Sequence, residues 1–304
     1  IRHALERLVR DLSQREMISG VGLFGSWSRG DAVAESDVDL LVVDRQNLSH
    51  EWVERLEING LFIDVNHVPR SWVLVSLPPE IDQRLFEVLV LYDRDWSLTS
   101  AKDWMCRSYR KRERVNIRSE MYIVDADIYL SRASSALARN DLQSAVVFAS
   151  VGLEAVLKIV VEAGLLPFSL SRFVHMVDES TQKLGCQEFF NAFMEVSRLQ
   201  SVSRSDFERS IQFFKTIWDY VAPLLQEQAL VLDSLHFRVR SQLQYYGNPS
   251  FLRGILARSQ GMADSGEYVE ACHYVRRVLI DILENYAWFA AAMESRRLDY
   301  TRLF

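Results

Sequence analysis

The chain has 304 residues, 49% of them apolar and 25% charged, with only 12 glycines and 6 prolines. That balance supplies ample core and excludes a chain dominated by disorder, while the scarcity of Gly and Pro disfavours a turn-rich all-β protein and favours long helices. The formal charge of −6 excludes a global basic field for gripping nucleic acid, although a local patch is compatible with it.

The opening Ile1-Arg2-His3-Ala4-Leu5-Glu6-Arg7 has no signal-peptide apolar region. The missing initiator Met leads us to expect that the numbering starts inside a longer chain or after processing. Leu5, Leu8, Val9 and Leu12 recur at helical spacing and predict an opening helix. Val21-Gly22-Leu23-Phe24, closed by Gly25-Ser26, reads as a strand meeting a turn. Val38 and Leu40 to Val43 form a second strand, apolar almost throughout and therefore central in its sheet. Residues 49–56 are predicted helical, Leu61 to Val65 a third strand and Val88 to Tyr92 a fourth. The alternation gives an α/β-patterned domain, α+β in class with a mixed sheet, over residues 1–100.

An all-α helical bundle of five to seven helices is expected over 101–304. Ala126, Tyr129, Ala133 and Leu137, then Ala145, Phe148, Gly152, Leu153 and Leu157, mark two amphipathic helices around Arg139-Asn140-Asp141. Residues 251–263 and 268–293 suggest a second pair around Ser265-Gly266-Glu267. Ala145, Leu153 and Leu157 align with Ala271, Leu279 and Leu283, and both duplication and coincidence explain so few matches. Pro223 should kink or break the helical stretch 205–246. No apolar run reaches the roughly 18–20 residues that span a bilayer. Cys106, Cys186 and Cys272 lie far apart, with no C-x-x-C pair, and read as reduced thiols of a cytoplasmic protein rather than a zinc or disulfide framework.

The chemistry is concentrated in Phe24-Gly25-Ser26-Trp27-Ser28-Arg29-Gly30-Asp31 and Glu35-Ser36-Asp37-Val38-Asp39-Leu40. Asp37 and Asp39 stand two apart at a strand start, so their side chains leave one face while Val38 and Leu40 leave the other. Adjacent carboxylates repel, and a divalent cation removes that cost; hard oxygen ligands beside phosphates suit Mg²⁺. Gly25 lets backbone N–H groups approach phosphate oxygens, and the Ser26 hydroxyl can donate to the same phosphate. Asp64 is the candidate third carboxylate, on the strand face opposite Ile63 and Val65. Were its strand to neighbour that of Asp39, the three could surround a metal pair roughly 3.5–4 Å apart. Asp37 and Asp39 would then hold the nucleotide metal, and Asp64 would ligate the second and take a proton from an attacking hydroxyl.

Gly25-Ser26, ten residues, Asp37-x-Asp39 and a later strand aspartate together resemble the DNA polymerase β-like nucleotidyltransferase superfamily, over roughly residues 15–95. Gly25-Ser26-x-x-Arg29-Gly30 and Ser36-Asp37-x-Asp39-Leu40 look like its minimal nucleotidyltransferase branch, and Val90 to Asp93 is similar to the way many such domains close. The resemblance implies a nucleoside triphosphate donor, two Mg²⁺ ions, and transfer of a nucleoside monophosphate to an acceptor hydroxyl on a small molecule, protein or RNA. It assigns triphosphate binding to Gly25 and Ser26, with Arg29 at phosphate or bracing the loop, and the metals to Asp37, Asp39 and Asp64. Leu142 to Leu157, with Glu154-Ala155-x-Leu157-Lys158, looks like the HEPN-type bundles that accompany such domains, including that of kanamycin nucleotidyltransferase. Arg172 and His175 lack the spacing of RNase-active members.

Other features have plainer readings. Arg107, Arg110, Lys111, Arg112, Arg114 and Arg118 form a basic cluster that either contacts triphosphate or RNA or is a solvated helix face. His175, His236 and His273 read as core or surface, and Glu154 and Asp127 as inter-helix partners before general bases. Phe189, Phe190, Phe193, Phe213, Phe214 and Trp218 read as core or, where exposed, as a homodimer interface of the helical region. The competing functional expectation is a catalytically weak binding protein, an antitoxin or regulator acting through its helices. RNA tailing would instead require the basic cluster to line the cleft.

Overall fold

The structure, a computed structural model, describes residues 2–46 and 50–303. It divides into two compact units: Ile1–Lys111 with His236–Arg258, and Arg112–Leu235 with Ser259–Phe304. The chain runs α1 (Arg2–Gln14), β1 (Ile18–Phe24), α2 (Ser26–Arg29), β2 (Val38–Asp44), β3 (Trp52–Ile58), β4 (Leu61–Pro69), α3 (Arg70–Leu74), α4 (Asp82–Glu87), β5 (Leu89–Asp93) and α5 (Ser97–Ser108). It continues with α6 (Arg112–Ala138), α7 (Leu142–Ala163), α8 (Phe173–Leu184), α9 (Gln187–Val196), α10 (Arg204–Glu227), α11 (Ala229–Ser234), α12 (Phe237–Tyr246), α13 (Pro249–Asp264) and α14 (Tyr268–Met293). A mixed five-stranded sheet followed by helices is the class the sequence predicts.

In the first unit the sheet order is β3-β4-β2-β1-β5, with β2 and β4 parallel and the other neighbours antiparallel. Strand alternation sorts the apolar side chains between two cores. Val38, Leu40, Val42, Ile63 and Val65 pack under α1 through Leu5, Leu8, Val9 and Leu12. Leu41, Val43 and Val68 face the opposite way, toward Leu85, Leu98, Ala101 and Met105 of α4 and α5. Asp39 and Asp64 share the parity of this second face, so the pattern that buries β2 also aims its carboxylates.

Residues 52–58 correct the helix predicted for 49–56, of which Ser49 lies outside the described residues. Trp52, Val53 and Leu56 satisfy a helical spacing, but the segment pairs with β4 as a strand. Asn59 (φ 54) and Gly60 (φ 78) adopt the two positive-φ positions of a tight hairpin turn, which an Asn-Gly pair favours. The first unit also runs past residue 100 and takes in α12 and the first ten residues of α13.

The second unit holds the α6–α7 hairpin, with Asn140 (φ 62) in its turn and Asp141 capping α7 through Ser144 N at 3.1 Å. Leu157, Val161, Phe173, Val177 and Phe193 form one core cluster, and Phe207, Ala263 and Ala271 another. Phe214 is buried, whereas Phe189 and Phe213 are exposed. Helix α10 passes through Pro223 and ends at Glu227, so the proline falls near the helix end instead of breaking it. Contrary to the sequence expectation, α7 is long and apolar enough to cross a membrane by length and composition; half of that stretch is buried inside the bundle. Its buried polar side chains are paired, Glu162 with Arg118 at 2.8 Å and Glu154 with His273 Nε2 at 3.1 Å. All three cysteines are free thiols.

Candidate active site

Asp39 and Asp64 are direct register partners across the parallel β2–β4 pair, and Asp37 precedes β2 by one residue. The parallel ladder thus brings together two carboxylates separated by 25 positions in sequence, on one face of the sheet. Gly25 closes β1, the other neighbour of β2, with φ 75 and ψ −154. A Cβ at this position would lie 2.5 Å from Asp39 Oδ2, so only glycine allows the turn to press against the carboxylate. The Gly25-Ser26 turn and the aspartates therefore share one floor.

The Gly25-Ser26 side of this floor is braced internally. Glu87, from the end of α4, accepts the Gly25 N–H at 3.0 Å and Arg29 Nη1 at 2.8 Å. Arg29 Nε also donates to Asp31 at 3.3 Å, so its guanidinium braces the turn. Sequence reading had no local signal for Glu87, which lies 62 positions from Gly25.

The carboxylates meet two arginines and a tyrosine that the sequence reading missed. Arg55 of β3 sits opposite Asp64 across the β3–β4 pair. Its Nη1 donates to both Asp64 oxygens, at 3.1 and 2.8 Å, and its Nη2 to Asp37 Oδ2 at 3.3 Å. Tyr245 of α12 donates its hydroxyl to Asp64 Oδ2 at 2.9 Å and receives Arg55 Nη1 at 2.9 Å. Arg258 of α13 donates through Nη2 to Asp37 Oδ1. The segment carrying these groups is fastened along β3, with Asn248 Nδ2 donating to Arg55 O and Arg253 pairing with Glu57.

Asp39 differs from its neighbours. Among the described residues no hydrogen-bond donor reaches its carboxylate. Burial, with Asp37 and Asp64 beside it, holds its pKa well above the usual range against the pull of Arg258 and Arg84. Asp64 is pushed up to about 6, chiefly by burial, with Asp37 raising it further and Arg55, Tyr245 and Arg258 opposing. Burial alone would lower the Arg55 pKa, but Asp64, Tyr245 and Asp37 outweigh it and keep the guanidinium charged.

Among the described residues no group of three or more His, Cys, Asp or Glu side chains is arranged to hold a metal ion. The donor chemistry nonetheless fits a divalent cation at Asp37 and Asp39. Three carboxylates face two guanidinium groups, and Asp39, whose ionised form is disfavoured by burial and by its acidic neighbours, presents an oxygen pair with no donor that a cation would suit.

The remaining sequence candidates lie elsewhere. Arg118 of the basic cluster is buried against Glu162 in the second unit, and Arg110 lies over the Phe86 ring of the first. Glu154 pairs with His273 and Arg277 inside the bundle.

Residues 5–87 match the family model described as the nucleotidyltransferase domain. No protein of curated function matches the chain. Among solved structures, it is similar to a nucleotidyltransferase-like protein from Exiguobacterium sibiricum 255-15. The identity is 12%, the TM-score 0.40, and the match covers 86% of this chain and 78% of that one.

Proposed function

We propose that the chain is a Mg²⁺-dependent nucleotidyltransferase that moves a nucleoside monophosphate from a nucleoside triphosphate to an acceptor hydroxyl and releases pyrophosphate. The observation that carries this reading is the parallel register of Asp39 with Asp64, with Asp37 beside them and the Gly25-Ser26 turn pressed against the same carboxylate. Asp37 and Asp39 would hold the nucleotide metal, and Asp64 would contribute to a second, as the resemblance implies. When bound, the metal would supply Lewis-acid polarisation of the phosphoryl group and neutralise its developing charge.

The chain's own groups have distinct tasks in this reaction. Ser26 would hold the triphosphate through its backbone N–H and hydroxyl at the turn that Gly25 shapes, while Arg29 and Glu87 stiffen that turn. Asp64 accepts the proton of the attacking hydroxyl at Oδ1, the oxygen that Tyr245 leaves alone. Its raised pKa, about 6, suits a general base working near neutral pH. Tyr245 and Arg55 fix the carboxylate's orientation.

Incubation with labelled triphosphates, Mg²⁺ and candidate acceptors tests the reading. Transfer should fall roughly 10³-fold or more in the Asp37→Ala, Asp39→Ala double variant. Transfer that survives unchanged in this variant overturns the mechanism.

A further inference from the structure

Within the second unit, three arginines of the bundle helices meet acids: Arg118 meets Glu162, Arg132 meets Glu284, and Arg277 meets Glu154 and Asp281. Arg276, half-buried on α14, is bonded differently. Its Nη1 donates to the backbone oxygen of Ser197 at 2.9 Å, and among the described residues its Nε and Nη2 find no acceptor. Those two N–H groups form the side-on fork that matches two oxygens of an oxyanion. Burial lowers the Arg276 pKa, opposed by Glu154 and Cys272, but the Glu154 carboxylate is already bonded to His273 and Arg277.

Arg276 lines an open cavity of about 440 Å³ built wholly from residues of the second unit. Arg198, just past the end of α9, lines it too. Its φ of 53 lies in the left-handed region where glycine is the low-strain residue, so the turn holds a cation at some backbone cost. Its side chain has no hydrogen-bond or ion-pair partner among the described residues. Two acids reach the same cavity. Asp206 is committed, accepting the Ser203 N–H at 2.9 Å and pairing with Arg209. Glu195 is exposed, which leaves two guanidinium groups against one carboxylate. Ser201 adds a hydroxyl, and Leu199 and Val202 an apolar wall.

We propose that this cavity binds the phosphate group of a small phosphorylated molecule, gripped by the Nε–Nη2 edge of Arg276, with Arg198 and the Ser201 hydroxyl taking the remaining oxygens. A carboxylate is satisfied by one arginine fork, whereas a phosphate dianion makes use of both cations. The volume falls within the range of about 300–1,000 Å³ typical of small-molecule sites, so a polyol- or sugar-sized body fits beside the phosphate. Glu195 and Gln200 then stand as hydrogen-bond partners for the hydroxyls of that body. Every residue of the site belongs to the second unit, so the inference stands or falls apart from the nucleotidyltransferase reading.

Cys272 lines the cavity, 8% exposed, and its reactivity reports occupancy. The test is alkylation of the full chain by N-ethylmaleimide, read at each cysteine by mass spectrometry, with β-glycerophosphate, inorganic phosphate or acetate present. The exposed Cys106, in the first unit, is the internal reference. β-Glycerophosphate at about ten times its Kd should slow alkylation of Cys272 about tenfold and leave Cys106 unchanged. Inorganic phosphate should protect at higher concentration, and acetate should not. Arg276→Lys, which keeps the charge and loses the fork, should weaken phosphate binding about tenfold, the worth of one charged hydrogen bond. Arg198→Ala, at an exposed position, should weaken it about threefold and carries the test should Arg276→Lys fail to fold. Cys272 alkylation that proceeds at one rate with and without both phosphates overturns the site, as does protection that ignores both substitutions. Equal protection by acetate overturns the assignment to phosphate.

Discussion

Both units bury acidic side chains, and they treat them in opposite ways. In the second unit Glu154 meets His273 and Arg277, Asp281 meets Arg277, Glu162 meets Arg118, and Glu284 meets Tyr129 and Arg132. Each of these acids, Glu154 and Glu162 buried and Asp281 and Glu284 half-buried, has a cation or hydroxyl within hydrogen-bond reach, as a structural role demands. In the first unit three aspartates crowd one sheet face around two arginines, and Asp39 is left without a donor. The bundle spends these acids on itself. The sheet keeps a deficit that an external cation can fill, and this unsaturated charge separates a site from a scaffold.

The comparison can be broken most forcefully in the bundle. Arg118→Ala strips a buried guanidinium from Glu162 and should cost about 3–5 kcal/mol in chemical denaturation. A loss below ~1 kcal/mol would mean that the pairing is ornamental. The isosteric Asp39→Asn, by contrast, relieves the crowding and should raise stability by about 1 kcal/mol while abolishing metal binding. Loss of both stability and binding would place Asp39 among the structural acids.

The smallest effect concerns pH. Glu270 accepts the N–H groups of Val174 and His175 at 3.1 Å each, yet burial pushes its pKa from 4.5 up to about 7. The folded state thus binds this proton more tightly than the unfolded chain, so the group's contribution to stability falls as pH rises from about 4.5 to 7 and then levels off. Glu270→Gln should flatten that decline in thermal unfolding curves. An unchanged slope would assign the dependence to another group.

Much of the sheet was legible because β2 and β4 carry strong local patterns: Val38 to Val43 as a buried run, and Asp64 flanked by Ile63 and Val65. Strand β3 was not, since Trp52, Val53 and Leu56 fit helix and strand alike; the Asn59-Gly60 pair was the signal that could have decided it. Reading β3 as a helix concealed Arg55, whose role depends on facing Asp64 across a strand pair. Tyr245 and Arg258 had no local signature at all. They meet the aspartates through contacts spanning 181 and 221 positions, and a helical stretch near residue 250 looks alike whether it caps a sheet or joins a bundle. Gly254 was an anomaly there, a glycine inside a helix whose missing Cβ makes room for Arg55.

The discontinuity of the first unit bears on how the chain is born. During translation the five strands leave the ribosome well before residues 236–258, which cover β3 at the edge of the sheet. Until then the nascent domain carries a bare strand edge and a cluster of mutually repelling acids, a state that invites mispairing with other chains. A fragment ending at Lys111 should therefore associate more readily than the 304-residue chain, and slow codons or chaperones acting across that interval would govern how much folded chain accumulates.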